Sequence, residues 1–266
     1  METYRLKNIA IVILLLLNLC LLLLLGYQGL RERQAARQTA EELERLCQAN
    51  QLTLGAEVDL GQEALSPLAL TRRGEQEQAI ASYLLQGEAV SASQGGDIYS
   101  YEAGSRAIQF RAGGSFYGSR MDLPVEDIPD FVRTFCRQFG YEEPRLELED
   151  GTGTAAAIQR LGGVPVVDCE IVMYFEDGAL ISVTGAHVSM EAASAEAGEQ
   201  LGCVTALVKF LNYRSVSGAV CSEVAGVRCV YQLQGGAAPR LRPAWEIQTD
   251  TYTYYVDCET GEVSGK

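Results

Sequence analysis

Histidine is almost absent from this sequence: among 266 residues the single one is His187. A Ser-His-Asp or Cys-His catalytic arrangement would have to use that side chain. The sequence also lacks the G-x-S-x-G, H-E-x-x-H and phosphate-loop motifs. We expect His187, which follows a predicted strand ending at Gly185, to be a loop or strand-edge residue. The prediction is a protein without catalytic residues, cofactor or metal.

Basic residues are scarce as well. The chain has 21 Lys and Arg against 35 Asp and Glu, and residues beyond 26 carry 19 and 34 of them, a net charge of −15. Such a surface repels nucleic acid phosphates and anionic lipid headgroups. We therefore expect no nucleic acid partner. Other proteins, or cations near an anionic envelope, are the partners that the charge favours.

The eight cysteines contain no C-x-x-C pair, so metal-ligand spacing is absent. Cys221 and Cys229 could lie on neighbouring strands and form a disulfide, or remain thiols. Free cysteines on apolar stripes act as small hydrophobic residues. Free thiols would indicate a reducing habitat if the body is extracytoplasmic and need no explanation in the cytoplasm. Seven cysteines lie outside the apolar run that contains Cys20: Cys47, Cys136, Cys169, Cys203, Cys221, Cys229 and Cys258.

One long apolar run is present, from Ile9 to Leu25, interrupted by Asn18. About 20 apolar residues span a bilayer as a helix. The alternative is a cleaved signal peptide, whose apolar region is about 7–15 residues long and ends at small residues. The sequence G-Y-Q-G at 26–29 matches such a site poorly. We therefore predict a head over 1–7 and a retained transmembrane helix over 8–26, in the lipid bilayer through 9–25.

Three residues of this segment are candidates for contact with another membrane helix. Asn18 could donate or accept across a helix pair, or bond to its own backbone, and Gly26 and Gly29 would permit close approach. Two basic residues precede the span and three follow it within 31–37. Charge counting alone slightly favours a cytoplasmic position for the downstream side.

Residues 27–50 predict a helical stalk, because they are rich in Ala, Glu, Arg and Gln after Leu30. Ala36, Ala40, Leu43 and Cys47 form one apolar stripe, and Asn50 is a plausible helix end. The stripe either packs on the protein's own first subdomain or pairs with another protein's stalk. Residues 51–97 predict a poorly defined subdomain with a short helix near 79–84 and a loop over 87–96.

The body shows two hairpin–helix–strand units, predicted over 98–163 and 164–266. The first has a turn at 102–104, a helix over 128–139 between Asp127 and Gly140, and a strand over 145–149. The second has a turn at 176–178 and a helix with apolar residues from Leu201 to Leu211. Strands follow over 217–224, 227–233 and 244–256, the last with a turn near 250–251. The predicted fold is α+β, with tandem antiparallel-sheet-plus-helix subdomains.

The C-terminal residues carry a recognisable motif: P-A-W-E-I-Q-T-D at 243–250 and Y-Y-V-D-C-E-T-G-E-V at 254–263. This ending resembles that of a PepSY-like module, and the layout from 1 to 266 resembles the YycI/YycH family of membrane-anchored regulators. We expect the motif residues Trp245, Tyr255, Asp257 and Gly261 to be structural, with Trp245 and Ile247 paired across strands with Tyr254 and Val256.

The resemblance implies a function and a location. It implies an extracytoplasmic regulator of a two-component sensor histidine kinase, with a cytoplasmic N-terminus and contacts through membrane helix and ectodomain. The kinase, and a paralogous anchored regulator, are the implied partners. The alternative is a PepSY-like inhibitor or accessory module of a cell-envelope protease.

Overall fold

The computed structural model describes residues 38–265, except 57, 189, 196–197 and 236–238. The predicted span with Asn18, Gly26 and Gly29, and the first part of the predicted stalk, lie outside these residues. Among the helices that the structure does describe, none is long and apolar enough to cross a bilayer.

The described residues form a mixed α+β fold of four helices and fifteen strands. The helices are α1 (38–49), α2 (Gly74–Leu85), α3 (Ile128–Phe139) and α4 (Cys203–Ser217). The strands are β1 (Thr53–Leu54), β2 (Leu68–Arg72), β3 (Val90–Gly95), β4 (Ile98–Ala103), β5 (Arg106–Arg111), β6 (Ser115–Pro124), β7 (Arg145–Glu149), β8 (Thr152–Leu161), β9 (Val164–Glu176), β10 (Ala179–Ala186), β11 (Met190–Ser194), β12 (Glu223–Gln234), β13 (Arg240–Thr249), β14 (Thr253–Asp257) and β15 (Val263–Gly265).

The strands make two layers that share one hydrogen-bonded path. The first layer has the antiparallel order β3-β4-β5-β6-β10-β9-β8-β7. The second is built around the β12–β13 pair, with β14, β15, β2, β11 and β1 beside it. The layers join where Tyr231 of β12 lies parallel to Val166 of β9. Each layer has a large hydrophobic core. Two smaller clusters span the joint, one of which packs Val166 and Cys169 of β9 against Tyr231 of β12.

Helices cover one face of each layer. On the first layer α2 and α3 pack together, with the Tyr83 ring 5.1 Å from that of Phe131 and 5.6 Å from that of Phe135. On the second layer α4 packs over the C-terminal strands, with the Phe210 ring 4.9 Å from that of Tyr254. An amphipathic helix on a sheet is the stable way to bury both apolar faces.

Several predicted elements are confirmed. Helix α3 has the predicted bounds, the Asp127 side chain accepts from Asp130 N at 2.9 Å, and Gly140 ends the helix with φ +74°. The hairpin predicted with a turn at 102–104 is present with its turn at 104–105, and the second turns at 177–178, within the predicted 176–178. Strand β7 and the final turn at 250–251 are also present. These elements are short-range features, which hydrophobic periodicity and capping residues determine locally.

Two local predictions are wrong. Residues 90–95, predicted as loop, form β3, which pairs with β4 despite its Ser, Gln and Gly content. Residues 217–224, predicted as a strand, belong mostly to the end of α4 and a loop, because Gly218 terminates the helix with φ +73° and β12 begins at Glu223. In both places the conformation depends on the neighbouring element, and the local apolar pattern carries no information about that neighbour.

The strand pairing does not follow the predicted boundary between the two units, which lay between residues 163 and 164. The β9–β10 hairpin, predicted to start the second unit, pairs with β6 and β8 in the first layer. Residues 51–97 are divided between the layers: β1 and β2 pair with β12 and β13, whereas α2 packs with α3. The two layers are therefore interleaved along the chain.

Candidate functional site

Helix α1, which follows the predicted membrane span, packs against the C-terminal layer. Leu43 and Cys47 of α1 are buried in the core formed by α4 and the C-terminal strands. The Arg214 guanidinium donates to the carbonyl oxygens of Asn50 at 2.7 Å and Cys221 at 2.8 Å. Of the predicted apolar stripe, Leu43 and Cys47 thus pack on their own chain, which was one of the two alternatives, but on the C-terminal layer and not on the first subdomain.

A cleft lies between α1 and α4, next to this contact. Its volume is about 320 Å³, and Leu46 at its rim is 41% exposed. The lining residues are Thr39, Glu42, Leu43, Leu46, Val204 and Val208.

The terminal hairpin β13–β14 places the motif residues in the core. Trp245 lies opposite Val256 and Ile247 opposite Tyr254, so the predicted cross-strand pairs are confirmed. The Trp245 indole is fully buried, and its Nε1 donates to Leu201 O at 2.7 Å. Burial raises the pKa of Tyr255, on the other face, to about 12. Both aromatic residues hold the layer together in this arrangement.

Asp257 organises the turn after β14. Its Oδ1 accepts from Glu259 N at 2.9 Å and Thr260 N at 2.8 Å, and its Oδ2 is 2.5 Å from Arg242 Nη2. Gly261 closes the turn with φ +71°, a left-handed conformation that favours glycine. The geometry gives both residues a structural task in the turn.

His187 lies just beyond β10 in a closed hydrogen-bond network. The Tyr141 hydroxyl donates to Ala186 O at 2.9 Å and accepts from His187 Nδ1 at 3.2 Å. Gln159 Nε2 lies 3.3 Å from His187 Nε2, and Gln159 Oε1 accepts from Val188 N at 2.7 Å. The network assigns the proton to Nδ1.

Burial lowers the pKa of His187 to about 3 and raises that of Tyr141 well above its ordinary value. The imidazole is therefore neutral at physiological pH, and both ring nitrogens are occupied. A polar cleft of about 390 Å³ lies alongside, lined also by Gln76, Gln138 and Arg160. Engagement of both nitrogens leaves His187 poorly suited to act as a general base there.

The seven cysteines of the described residues are all thiols. Cys221 lies in the loop before β12, and Cys229 lies six residues beyond Glu223, the first residue of that strand, which is about 20 Å at strand rise. The possible Cys221–Cys229 disulfide is therefore wrong. Among the described residues, no three His, Cys, Asp or Glu side chains are grouped to hold a metal ion.

Two features of the structure are not predictable from the sequence. Arg214 was indistinguishable from any other basic residue in a last helical turn, where cations commonly complement the helix dipole. Cys229 of β12 and Cys258, which follows β14, are 29 residues apart but face the same core from either side of β13. Placement across a sheet depends on register, which no motif in the sequence reports.

The fold and these sites define a mixed α+β protein. No family model matches the chain, and no curated protein does. Among solved structures, it is similar to an uncharacterized protein from Eubacterium rectale, with 11% identity over 80% of this chain and 85% of that one, and a TM-score of 0.45. It is also similar to the Bacillus megaterium YpeB C-terminal domain, with 12% identity over 74% of this chain and 98% of that one, and a TM-score of 0.36. The PepSY-like and YycI/YycH-like resemblances stay predictions.

Proposed function

We propose that the protein is a non-enzymatic, membrane-anchored regulator of a two-component sensor histidine kinase, with its body outside the cytoplasm. It acts by contact, through the helix over 8–26 and through the body. The observation that supports this proposal is the packing of α1 on the C-terminal layer. Leu43, Cys47 and the Arg214–Asn50 hydrogen bond fix the segment that follows the predicted span to the C-terminal layer.

A fixed joint matters because regulation by contact requires different contact energies in the two states of the kinase. Because α1 packs on α4, a displacement of α1 would move the C-terminal layer with it. The cleft beside Leu46 is the candidate contact surface of the body, and Asn18, Gly26 and Gly29 are the candidate contact residues of the predicted span. The closed network around His187 supports a role without catalysis.

Co-purification tests the proposal. The full chain, tagged and extracted in detergent from its own membranes, should recover a histidine kinase that mass spectrometry identifies. Replacing residues 9–25 with an unrelated apolar sequence should reduce that recovery at least about tenfold, since a loss of 1.4 kcal/mol already gives a tenfold change in affinity. Absence of any kinase from the full-chain sample contradicts the proposal.

A matched pair of surface variants tests whether the body contributes to binding of the kinase. Leu46→Asp places a charge at the rim of the α1–α4 cleft, whereas Val216→Asp places one at the far end of α4, where Val216 is 90% exposed. We expect Leu46→Asp to weaken kinase recovery and Val216→Asp to leave it unchanged. Equal effects of the two would exclude the cleft as the contact surface.

A second candidate function is inhibition of an envelope protease, which strand β3 favours. This strand ends the first layer, pairs on one side with β4, and has no charged residue in V-S-A-S-Q-G. Uncharged edge strands can accept an added strand from another protein. Incubating the full chain with secreted proteases distinguishes the candidates, because a regulator of the first kind leaves their activity unchanged.

A further inference from the structure

The polar cleft beside His187 lies in the first layer, where four elements of the fold meet, and has a volume of about 390 Å³. Gln76 comes from α2, Gln138 and Phe139 from the end of α3, Gln159 from β8, and His187 from the segment after β10. Small-molecule sites in proteins have volumes of about 300–1,000 Å³ and a few converging polar groups. The size and the polar lining of this cleft therefore fit a small ligand.

Gln159 is a buried lining residue that the protein holds in one orientation. Its side chain is 4% exposed, its Oε1 accepts from Val188 N at 2.7 Å, and its Nε2 lies 3.3 Å from His187 Nε2. The amide nitrogen carries two hydrogens, of which the His187 ring accepts one. The second has no acceptor among the described residues. Gln159 is thus an oriented donor with one hydrogen left for a ligand.

Two more amides line the exposed rim of the cleft. Gln76 and Gln138 are both exposed, and the part of the chain that the structure describes gives neither of them a side-chain hydrogen bond. Gln78, on the same helix as Gln76, instead donates to Ala89 O at 2.7 Å. An amide has two N–H donors and an acceptor oxygen, and a hydroxyl group both donates and accepts. Three amides around one cleft therefore favour a ligand with several hydroxyl groups.

The charges around the cleft favour a neutral ligand. Among the described residues that line it, only Arg160 is charged at neutral pH, since burial lowers the pKa of His187 to about 3. The Arg160 guanidinium lies 3.4 Å from Glu142 Oε2 and donates to Gly163 O at 3.2 Å, so its charge is compensated. The acidic body also repels anions at longer range. Phosphates and carboxylates are therefore disfavoured.

The main chain beside the cleft is already paired, which argues against a peptide ligand. Arg160 N donates to Gly140 O at 2.7 Å, and Val188 N donates to the Gln159 side chain. A peptide bound as an added strand needs unpaired main-chain groups at a sheet edge. A sugar ring instead needs side-chain partners for its hydroxyl groups and an apolar surface for its C–H groups. Phe139, which lines the cleft, supplies that surface.

We propose that this cleft binds a neutral saccharide, whose hydroxyl groups bond to the amides of Gln76, Gln138 and Gln159. Val188 occupies the oxygen of Gln159, so this residue acts as a donor, whereas the two rim amides both donate and accept. His187 acts through Gln159, by accepting one of its two amide hydrogens. The site lies in the first layer, and the inference does not depend on the proposed contact between α1 and a kinase.

Ligand-observed NMR tests the proposal with the full chain in a detergent that has no sugar headgroup. Maltose, cellobiose and N,N′-diacetylchitobiose are the neutral probes, and saturation transfer from the protein to each disaccharide is measured against its concentration. We expect saturable binding of at least one disaccharide at about millimolar concentration. N-acetylalanine methylamide, which has amide groups but no hydroxyl group, should not bind. Absence of saturable binding of all three disaccharides up to about 10 mM, or equal binding of the peptide-like probe, overturns the proposal.

Variants at the rim locate the bound saccharide. Gln76→Ala and Gln138→Ala each remove one amide, so we expect each to weaken binding about fivefold, the factor that one hydrogen bond contributes. Gln48→Ala, an exposed position of α1 on the other layer, is the matched control and should leave the affinity unchanged. All three positions are exposed and helical, and alanine is a good helix former, so the variants should fold. Unchanged affinity in both rim variants would place the saccharide elsewhere and contradict the proposal.

Discussion

Arg214 and Asn50 connect the helix after the predicted membrane span to the C-terminal layer. One guanidinium nitrogen of Arg214 donates to Asn50 O at 2.7 Å, and another donates to Cys221 O at 2.8 Å. The Asn50 carbonyl belongs to the turn that ends α1, where main-chain oxygens have no partner within the helix. A single side chain from α4 thus satisfies two loop carbonyls and holds α1 in place.

Removal of this link should destabilise the protein. Arg214→Met keeps the aliphatic stem but loses both charge-assisted hydrogen bonds, so we expect the free energy of unfolding to fall by about 2–3 kcal/mol. Urea unfolding measures the loss. Arg137→Met is the control, because Arg137 occupies the last turn of α3 but is exposed and bonds only to Thr134 among the described residues. The control should change stability by less than about 0.5 kcal/mol.

Local pattern and long-range pairing account for what the sequence could and could not predict. The alternation around Trp245 and the caps of α3 act within a few residues, and both were predictable. Strand β3 was not, because Ser, Gln and Gly have low strand propensity and its stability comes from pairing with β4. The packing of α1 on α4 and the placement of Cys229 and Cys258 at one core also depend on pairing between distant parts of the chain.

The burial of His187 predicts a pH dependence of stability. Its folded pKa of about 3 lies below the ordinary value of 6.5, so between these values the unfolded chain binds a proton that the folded chain does not. The stabilising contribution is complete above pH 6.5 and is lost as the pH falls towards 3. We expect the free energy of unfolding to decrease with a slope approaching about 1.4 kcal/mol per pH unit from this residue.

Urea unfolding at several values between pH 7 and pH 5 measures this slope. His187→Gln removes the titrating group, so its unfolding free energy should depend less on pH than that of the wild type. The difference between the two proteins should therefore shrink as the pH falls. A constant difference would show that the ring protonates equally in both states.

Substitution of Gly261 should destabilise the protein in two ways that can be measured separately. Gly261→Ala places a side chain at φ +71°, and its Cβ would lie 3.0 Å from Leu201 Cδ1 and 3.2 Å from Lys209 Cε. Gly104→Ala has a similar φ of +65° but meets open space. Thermal unfolding should show a loss of about 1–2 kcal/mol for Gly104→Ala from the left-handed conformation. Gly261→Ala should lose about 1 kcal/mol more through overpacking.

The Asp257–Arg242 pair should be coupled more strongly than an exposed pair. Their side chains are 12% and 22% exposed, and Arg242 Nε also lies 3.5 Å from Glu259 Oε2. Asp257→Asn keeps the oxygen that accepts from the turn but loses the charge. A double-mutant cycle with Arg242→Met, measured by urea unfolding, should therefore give a coupling energy above about 1 kcal/mol.

The exposed Arg145–Glu170 pair provides the comparison for that cycle. Its side chains are 73% and 38% exposed, with the charged atoms 3.1 Å apart. Arg145→Met with Glu170→Gln should give a coupling energy below about 0.5 kcal/mol, because water and salt screen the attraction. Added salt should reduce this small coupling and leave that of Asp257 and Arg242 largely unchanged. Equal couplings in the two cycles would show that burial at the terminal turn adds nothing to the ion pair.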